Sequence, residues 1–172
     1  MDFEKLITER YSVRSFKPEH LPQAVVDQIL EAGHKAPTGC NYQPQRILVL
    51  NTDESIAKLK ECTKCHFNAP TALLVCYKKE ESWVRKYDGA LSAPVDAAIV
   101  ATHMMLAAHN EGVGCCWVMH FNPNAMRETF GISKNTEPVA LLVMGYPSDD
   151  AKPLELHHQF RPMSEVVFYD EF

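Results

Sequence analysis

Residues 71–77 read Thr-Ala-Leu-Leu-Val-Cys-Tyr, and a strand so poor in polar side chains is stable only when both of its faces are covered. No other stretch limits the fold as much. Around it the chain alternates between helical and strand periodicity. Helical spacing of Phe3, Leu6 and Ile7 predicts a short first helix over 2–9. Leu21, Val25, Val26, Ile29 and Leu30 predict a second from Glu19, with Pro22 in its first turn and Gly33 to end it. Turn chemistry fills 36–44 before a strand at 46–50. A helix over 53–62 precedes the apolar strand. Residues 95–111, with Ala98, Ala101, Met105 and Ala108 on one face, form the longest helical pattern and predict the central helix, stopped by Gly112. A short apolar strand at 115–119, a small helix at 123–130 and a clean strand at 138–145 follow. The stretch from Ser148, with Pro153 and Pro162, reads as extended.

With 172 residues and no internal repeat or linker, one domain over 1–172 is expected. A formal net charge of -5 argues against a general nucleic-acid partner. No basic-then-apolar leader opens the sequence, and the apolar run near 97–108 is interrupted by Thr102 and His103, so no membrane partner and a cytoplasmic location are expected. The six cysteines, Cys40, Cys62, Cys65, Cys76, Cys115 and Cys116, are then reduced, most of them acting as small core residues.

Against an acidic background, the arginines read as local devices. In Arg10-Tyr11-Ser12-Val13-Arg14-Ser15-Phe16, an extended backbone puts Arg10, Ser12 and Arg14 on one face and leaves Val13 and Phe16 to anchor the segment. Two guanidiniums and a hydroxyl so arranged form a cradle for an anion, because the planar fork of Arg matches a phosphate bidentately. The same local pattern also fits two solvated surface arginines beside a buried Phe.

Five ordered landmarks, which span nearly the whole chain, decide between these readings. They are the RYSVRSF segment; the loop Ala36-Pro37-Thr38-Gly39-Cys40-Asn41-Tyr42-Gln43-Pro44; Asp96 leading the central helix; Gly112-Val113-Gly114-Cys115-Cys116-Trp117; and Gly145-Tyr146-Pro147 with Arg161-Pro162. With them the chain resembles the nitroreductase family of FMN-dependent NAD(P)H oxidoreductases. The resemblance implies an α/β (α+β) three-layer sandwich, a mixed central sheet flanked by helices, with an extended C-terminal arm. It further implies a homodimer with two FMN molecules in clefts at the subunit interface.

By the same resemblance, Arg10 and Arg161 fall where the family grips the FMN phosphate, with Tyr11 beside them and Ser12 assisting at the ribityl-phosphate end. Arg14 takes the place of a basic residue that reaches the pyrimidine side of the flavin ring, where its charge favours the anionic reduced form. Pro37, Thr38, Gly39, Asn41 and Gln43 match the segment that reaches the flavin, partly from the partner subunit, with the two amides as hydrogen-bonding groups. Asn41 has the alternative role of holding its own turn. Trp117, Val118 and Met119 run beside the reactive nitrogen of the flavin. Gln45 replaces the usual aromatic after Pro44, and Met119 stands where many relatives have glycine.

Other motifs carry less. Gly112-Val113-Gly114 follows a helix instead of opening one after a strand, so it is no dinucleotide fingerprint. Cys62-Thr63-Lys64-Cys65-His66 matches the CxxCH haem pattern and half a zinc site, with a redox-active pair or plain structural cysteines as alternatives. His103, His109 and His120 complete no recognisable ligand set, and adjacent His157 and His158 do not share a helix face, so no metal site is assigned. Residues 83–88 are placed in a lid.

The expected chemistry is ping-pong transfer from NAD(P)H through FMN to a small oxidised acceptor, a nitroaromatic or a quinone. No side chain is required as acid, base or nucleophile, so no catalytic residue is assigned. The alternatives are a specialised flavin enzyme such as a reductive dehalogenase, a non-catalytic FMN sensor or store, and a CxxC electron-transfer module. Residues 163–172, with Val166, Val167, Phe168 and Phe172, are expected to wrap a partner subunit.

Overall fold

The computed structural model describes residues 2–172. Its centre is a sheet of four strands, β1 (Gln45–Leu50), β2 (Thr71–Lys78), β3 (Gly114–Val118) and β4 (Thr136–Gly145), in the spatial order β1-β2-β4-β3. All three pairings are antiparallel. Parallel pairing, expected of a mixed sheet, is confined to one bridge between Ser12 and Cys115 at the outer edge of β3.

Every residue of β2 from Thr71 to Tyr77 is buried, because helices cover both faces of the sheet. On one face Leu73, Val75, Leu142 and Met144 pack against α2 (Gln23–His34) and α4 (Ala93–Asn110). On the other, Leu74, Cys76, Leu141 and Val143 meet α3 (Asp53–Cys62) and α5 (Pro123–Phe130). The alternation of neighbouring residues between the two cores follows from the period of two in a strand. A short α1 (Phe3–Glu9) lies against α4, and the chain ends in a 3-10 turn, Glu155–His158, and a single turn of helix, α6 (Met163–Val166).

Local chemistry sets the boundaries. In α3, Thr52 caps Ser55 and Ser55 caps Thr52 in return, with Asp53 and Glu54 in the first turn. At the end of α5, Gly131 takes the left-handed conformation (φ 66°) that glycine adopts without steric cost. Gly33 does not end α2, as expected, but sits within it. A Cβ there would lie 2.6 Å from Met104 Cγ, so the missing side chain lets α2 and α4 pack closely. The second helix begins at Gln23, later than its apolar periodicity suggests, because the Leu21 amide donates to Thr71 Oγ1 and its carbonyl accepts from Asn51. Among the described residues no helix is long and apolar enough to cross a membrane.

Candidate functional site

The RYSVRSF segment extends the edge of the sheet. Val13 N–H donates to the Cys115 carbonyl at 3.1 Å, and Lys17 N–H to that of Tyr146 at 2.8 Å, so residues 12–17 run along β3 and past the end of β4. Val13 is buried and Phe16 packs on the core of the α3/α5 face. The close approach needs Gly114, where a Cβ would stand 2.8 to 2.9 Å from three Val13 side-chain atoms. Both expected anchors therefore hold the backbone.

Ser12 and Arg14 lie on the face opposite Val13, the face that Phe16 shares. Arg10 is half-buried; its N–H donates to the Leu6 carbonyl at 3.2 Å, and its guanidinium makes no hydrogen bond or ion pair among the described residues. Burial pushes the Cys116 thiol up, against the opposing pull of Arg14 and Ser12. Arg14 donates to the Ser12 carbonyl at 3.1 Å. Tyr11 meets His157 edge-on, with ring centroids 6.3 Å apart, which brings the C-terminal segment to α1. Arg161 follows in that segment, exposed, with a 3.4 Å contact to Glu165 of α6. Trp117 and Val118 continue β3, and Met119 beyond them is 65% exposed.

The loop of residues 37–43 has a different geometry and a different address. Cys40, Asn41 and Gln43 all have positive φ (47°, 58° and 51°), a left-handed conformation uncommon outside glycine, with Tyr42 right-handed between them. Inside it the Gln43 side-chain amide donates to Asn41 Oδ1 at 2.9 Å, and the Gln43 N–H to Thr38 Oγ1. Asn41 thus holds its own turn in this structure. Gly39 N–H donates to Asp96 Oδ1 at 2.9 Å, while Ser92 donates to Asp96 Oδ2 at 2.7 Å. The buried Asp96 thereby pins the loop to the first turn of α4. Residues 83–91 form a hairpin rooted on the same loop, with Trp83 and Ser92 closing on Gly39, an Arg85–Asp88 ion pair and a fully exposed Tyr87.

One protomer does not unite these two groups. Asp96 and its loop lie at the start of α4, whereas burial, with Glu9 opposing and Arg10 adding, holds the His109 of the last turn below its usual range. At 1.5 Å per residue these ends are about 20 Å apart. The loop also feeds β1, at one edge of the sheet, and Arg10 to Arg14 flank β3 at the other. The structure gathers Arg10, Tyr11, Ser12 and Arg14 beside β3, and leaves Pro37 to Gln43 far from them.

The Cys62–His66 motif is a structural turn. Thr63 Oγ1 donates to the His120 carbonyl at 2.6 Å and accepts from the Cys65 N–H at 2.9 Å, and all six cysteines are free. Burial pushes the Cys76 thiol up to about 11, so it stays protonated at neutral pH. Asp96 was a landmark of the resemblance, but its hold on the Gly39 loop was not disclosed by the sequence, nor was any role for Phe67. A carboxylate two residues after a proline in a helix start reads as an ordinary first-turn acid.

A three-layer α+β sandwich with an arginine-bearing strand on the sheet edge and an amide loop at the head of the central helix is the class defined here. The model of the nitroreductase family matches residues 7–74 and 63–146. The chain belongs to that family. It is similar to a nitroreductase family protein of Clostridium difficile 630, with a TM-score of 0.93 and 38% identity over the whole of both chains. A structure from Desulfovibrio desulfuricans, solved in complex with FMN, is 25% identical, with a TM-score of 0.80 and coverage of 98% of this chain and 96% of its own. An FMN reductase [NAD(P)H] of Bacillus subtilis is 27% identical over 163 residues, 84% of this chain and 66% of that protein.

Proposed function

We propose that the protein is an FMN-dependent NAD(P)H oxidoreductase that works as a homodimer, with each flavin site built from both protomers. The observation that carries this reading is the separation of the two candidate groups within one chain. A two-fold axis running across α4 sets the two copies of the helix antiparallel, so that the loop of one protomer meets the Arg10 segment of the other. Two equivalent sites result.

The residues suit FMN. An unpaired, half-buried guanidinium at Arg10 and the Ser12 hydroxyl beside it, on a backbone fixed to β3, fit a phosphate and its ribityl end. Arg161 reaches the same end through the contact of its segment with Tyr11. Arg14 brings a fixed positive charge to the pyrimidine half of the ring, and Asn41 and Gln43 exchange their mutual hydrogen bond for bonds to the flavin edge. Backbone along Trp117, Val118 and Met119 lines the reacting side. Residues 1–172 act as one FMN-binding unit.

When bound, FMN would supply the redox chemistry between NAD(P)H and a nitroaromatic, quinone or similar acceptor, in a ping-pong order with the nicotinamide leaving before the acceptor enters. The protein's own part is to bind, orient and present charge, which needs no side-chain acid or base. Anaerobic titration of the FMN-loaded protein with NADH and NADPH tests the reading. The yellow colour should bleach and return on addition of a quinone. A flavin that stays oxidised with both nicotinamides would support a sensor or store instead.

A further inference from the structure

Phe67 has the backbone conformation that an aromatic residue avoids most. Its φ is 50°, followed by 53° at Asn68, and a bulky side chain in the left-handed region is an outlier that the surroundings must enforce. They do so through the turn of residues 63–69. Thr63, buried and bonded to the His120 carbonyl, holds Cys65; His66 accepts the Asn68 N–H on Nδ1 at 2.9 Å and the Ala69 N–H on its carbonyl at 2.9 Å. The result is a Phe67 ring seated on the core of the α3/α5 face, with its π face towards Arg14, whose guanidinium carbon lies 5.9 Å from the ring centroid.

We propose that Phe67 is a positioning residue, which holds the Arg14 guanidinium at the cofactor site by a cation–π contact. This rests on the reading that Arg14 serves the flavin ring. Among the described residues no carboxylate pairs with Arg14, whose guanidinium donates to the Ser12 carbonyl and faces the Phe67 ring. The choice of partner has a chemical consequence. A carboxylate would restrain the guanidinium but cancel its charge, whereas an aromatic face restrains it and leaves the charge available to an electron-rich flavin. The turn that matches CxxCH thereby has a purpose: it strains one residue so that its ring lies under Arg14.

The test is the midpoint potential of bound FMN, with FMN affinity measured in parallel. Leu and Met at position 67 keep apolar volume on the core and remove the π face, so two variants, F67L and F67M, guard against loss of folding. Each should weaken binding of reduced relative to oxidised FMN by about three- to tenfold, a fall of about 15 to 30 mV at about 30 mV per tenfold in a two-electron couple. Phe67→Tyr should restore the wild-type potential. In an Arg14→Ala background, F67L should have no further effect. A wild-type potential in F67L and F67M beside a lowered one in R14A overturns the proposal alone, as does an equal F67L effect without Arg14. A wild-type potential in R14A removes Arg14 from the flavin ring and the proposal with it.

Discussion

Gly39 N–H donates to the Asp96 carboxylate at 2.9 Å, a bond that ties the amide loop to the head of the central helix, away from Arg10. Asp96 accepts from Ser92 with its other oxygen. Asp96→Ala leaves a buried N–H and a hydroxyl without their acceptor and should cost about 1–3 kcal/mol in denaturant unfolding. Asp96→Asn keeps an acceptor for Gly39 while Ser92 turns its hydroxyl, so the loss should be smaller. FMN affinity should fall in the same order. Equal losses in the two variants would show that Asp96 acts through its charge.

The approach of Val13 to Gly114 fixes the arginine segment to the sheet. Gly114→Ala drives a methyl into the Val13 side chain and should destabilise by about 1–3 kcal/mol, the usual range for overpacking. Val13→Ala in the same chain should return part of that loss, measured as a coupling energy in thermal or denaturant unfolding. FMN binding should weaken with G114A, since Ser12 sits on the displaced backbone.

His66 gives the turn beneath Arg14 a pH dependence. Burial, with Lys60 and Lys64 adding, holds His66 below its ordinary value of 6.5, and its neutral Nδ1 accepts the Asn68 N–H. A depressed pKa in the folded state means that the unfolded chain binds the proton more readily. The stabilisation is therefore complete above pH 6.5 and is lost as pH falls towards the lower folded value. Stability measured from neutral pH downward should decline over this window, and His66→Ala should be less stable at neutral pH with a flatter profile. A profile unchanged in H66A would refute the assignment.

Residues 163–172 expose Met163, Val166, Phe168 and Phe172, an apolar set that needs a surface to cover it. Its removal should shift the dimer towards monomer at micromolar concentration in analytical ultracentrifugation and speed the loss of FMN. A truncated chain that remains a dimer and keeps its flavin would place the contact elsewhere.

The elements most legible in the sequence were those with local causes. The helix over 53–62 carries its own capping box, and the buried strand over 71–77 shows its two covered faces in its composition. Less legible was anything fixed by tertiary contact. Pro138 marked the expected start of the last strand, yet β4 begins at Thr136, which pairs with Lys78 of β2; Pro138 is tolerated inside it because β3 reaches only to Leu141 and the register with β2 shifts between Val75 and Cys76. Val95 marked the start of the central helix, yet Pro94 lies comfortably in its first turn. At the candidate site, residue types were readable but addresses were not. Nothing local to Asn41 or Arg10 says that one chain keeps them at opposite edges of its sheet, and the left-handed backbone of Phe67 has no signature in Cys-His-Phe-Asn.

The central claim is that each site draws Arg10 from one protomer and the Asn41/Gln43 loop from its partner. Arg10→Ala should weaken FMN by about 2–5 kcal/mol if it breaks a desolvated charge pair, and replacing Asn41 and Gln43 by Ala should weaken it by a separate route. A mixed dimer carrying R10A in one protomer and the double amide variant in the other, isolated through two different tags, then contains one site with both defects and one with neither. We expect one tightly bound FMN per mixed dimer, where neither parent homodimer retains any. A mixed dimer that holds FMN no better than its parents would contradict a site shared between protomers.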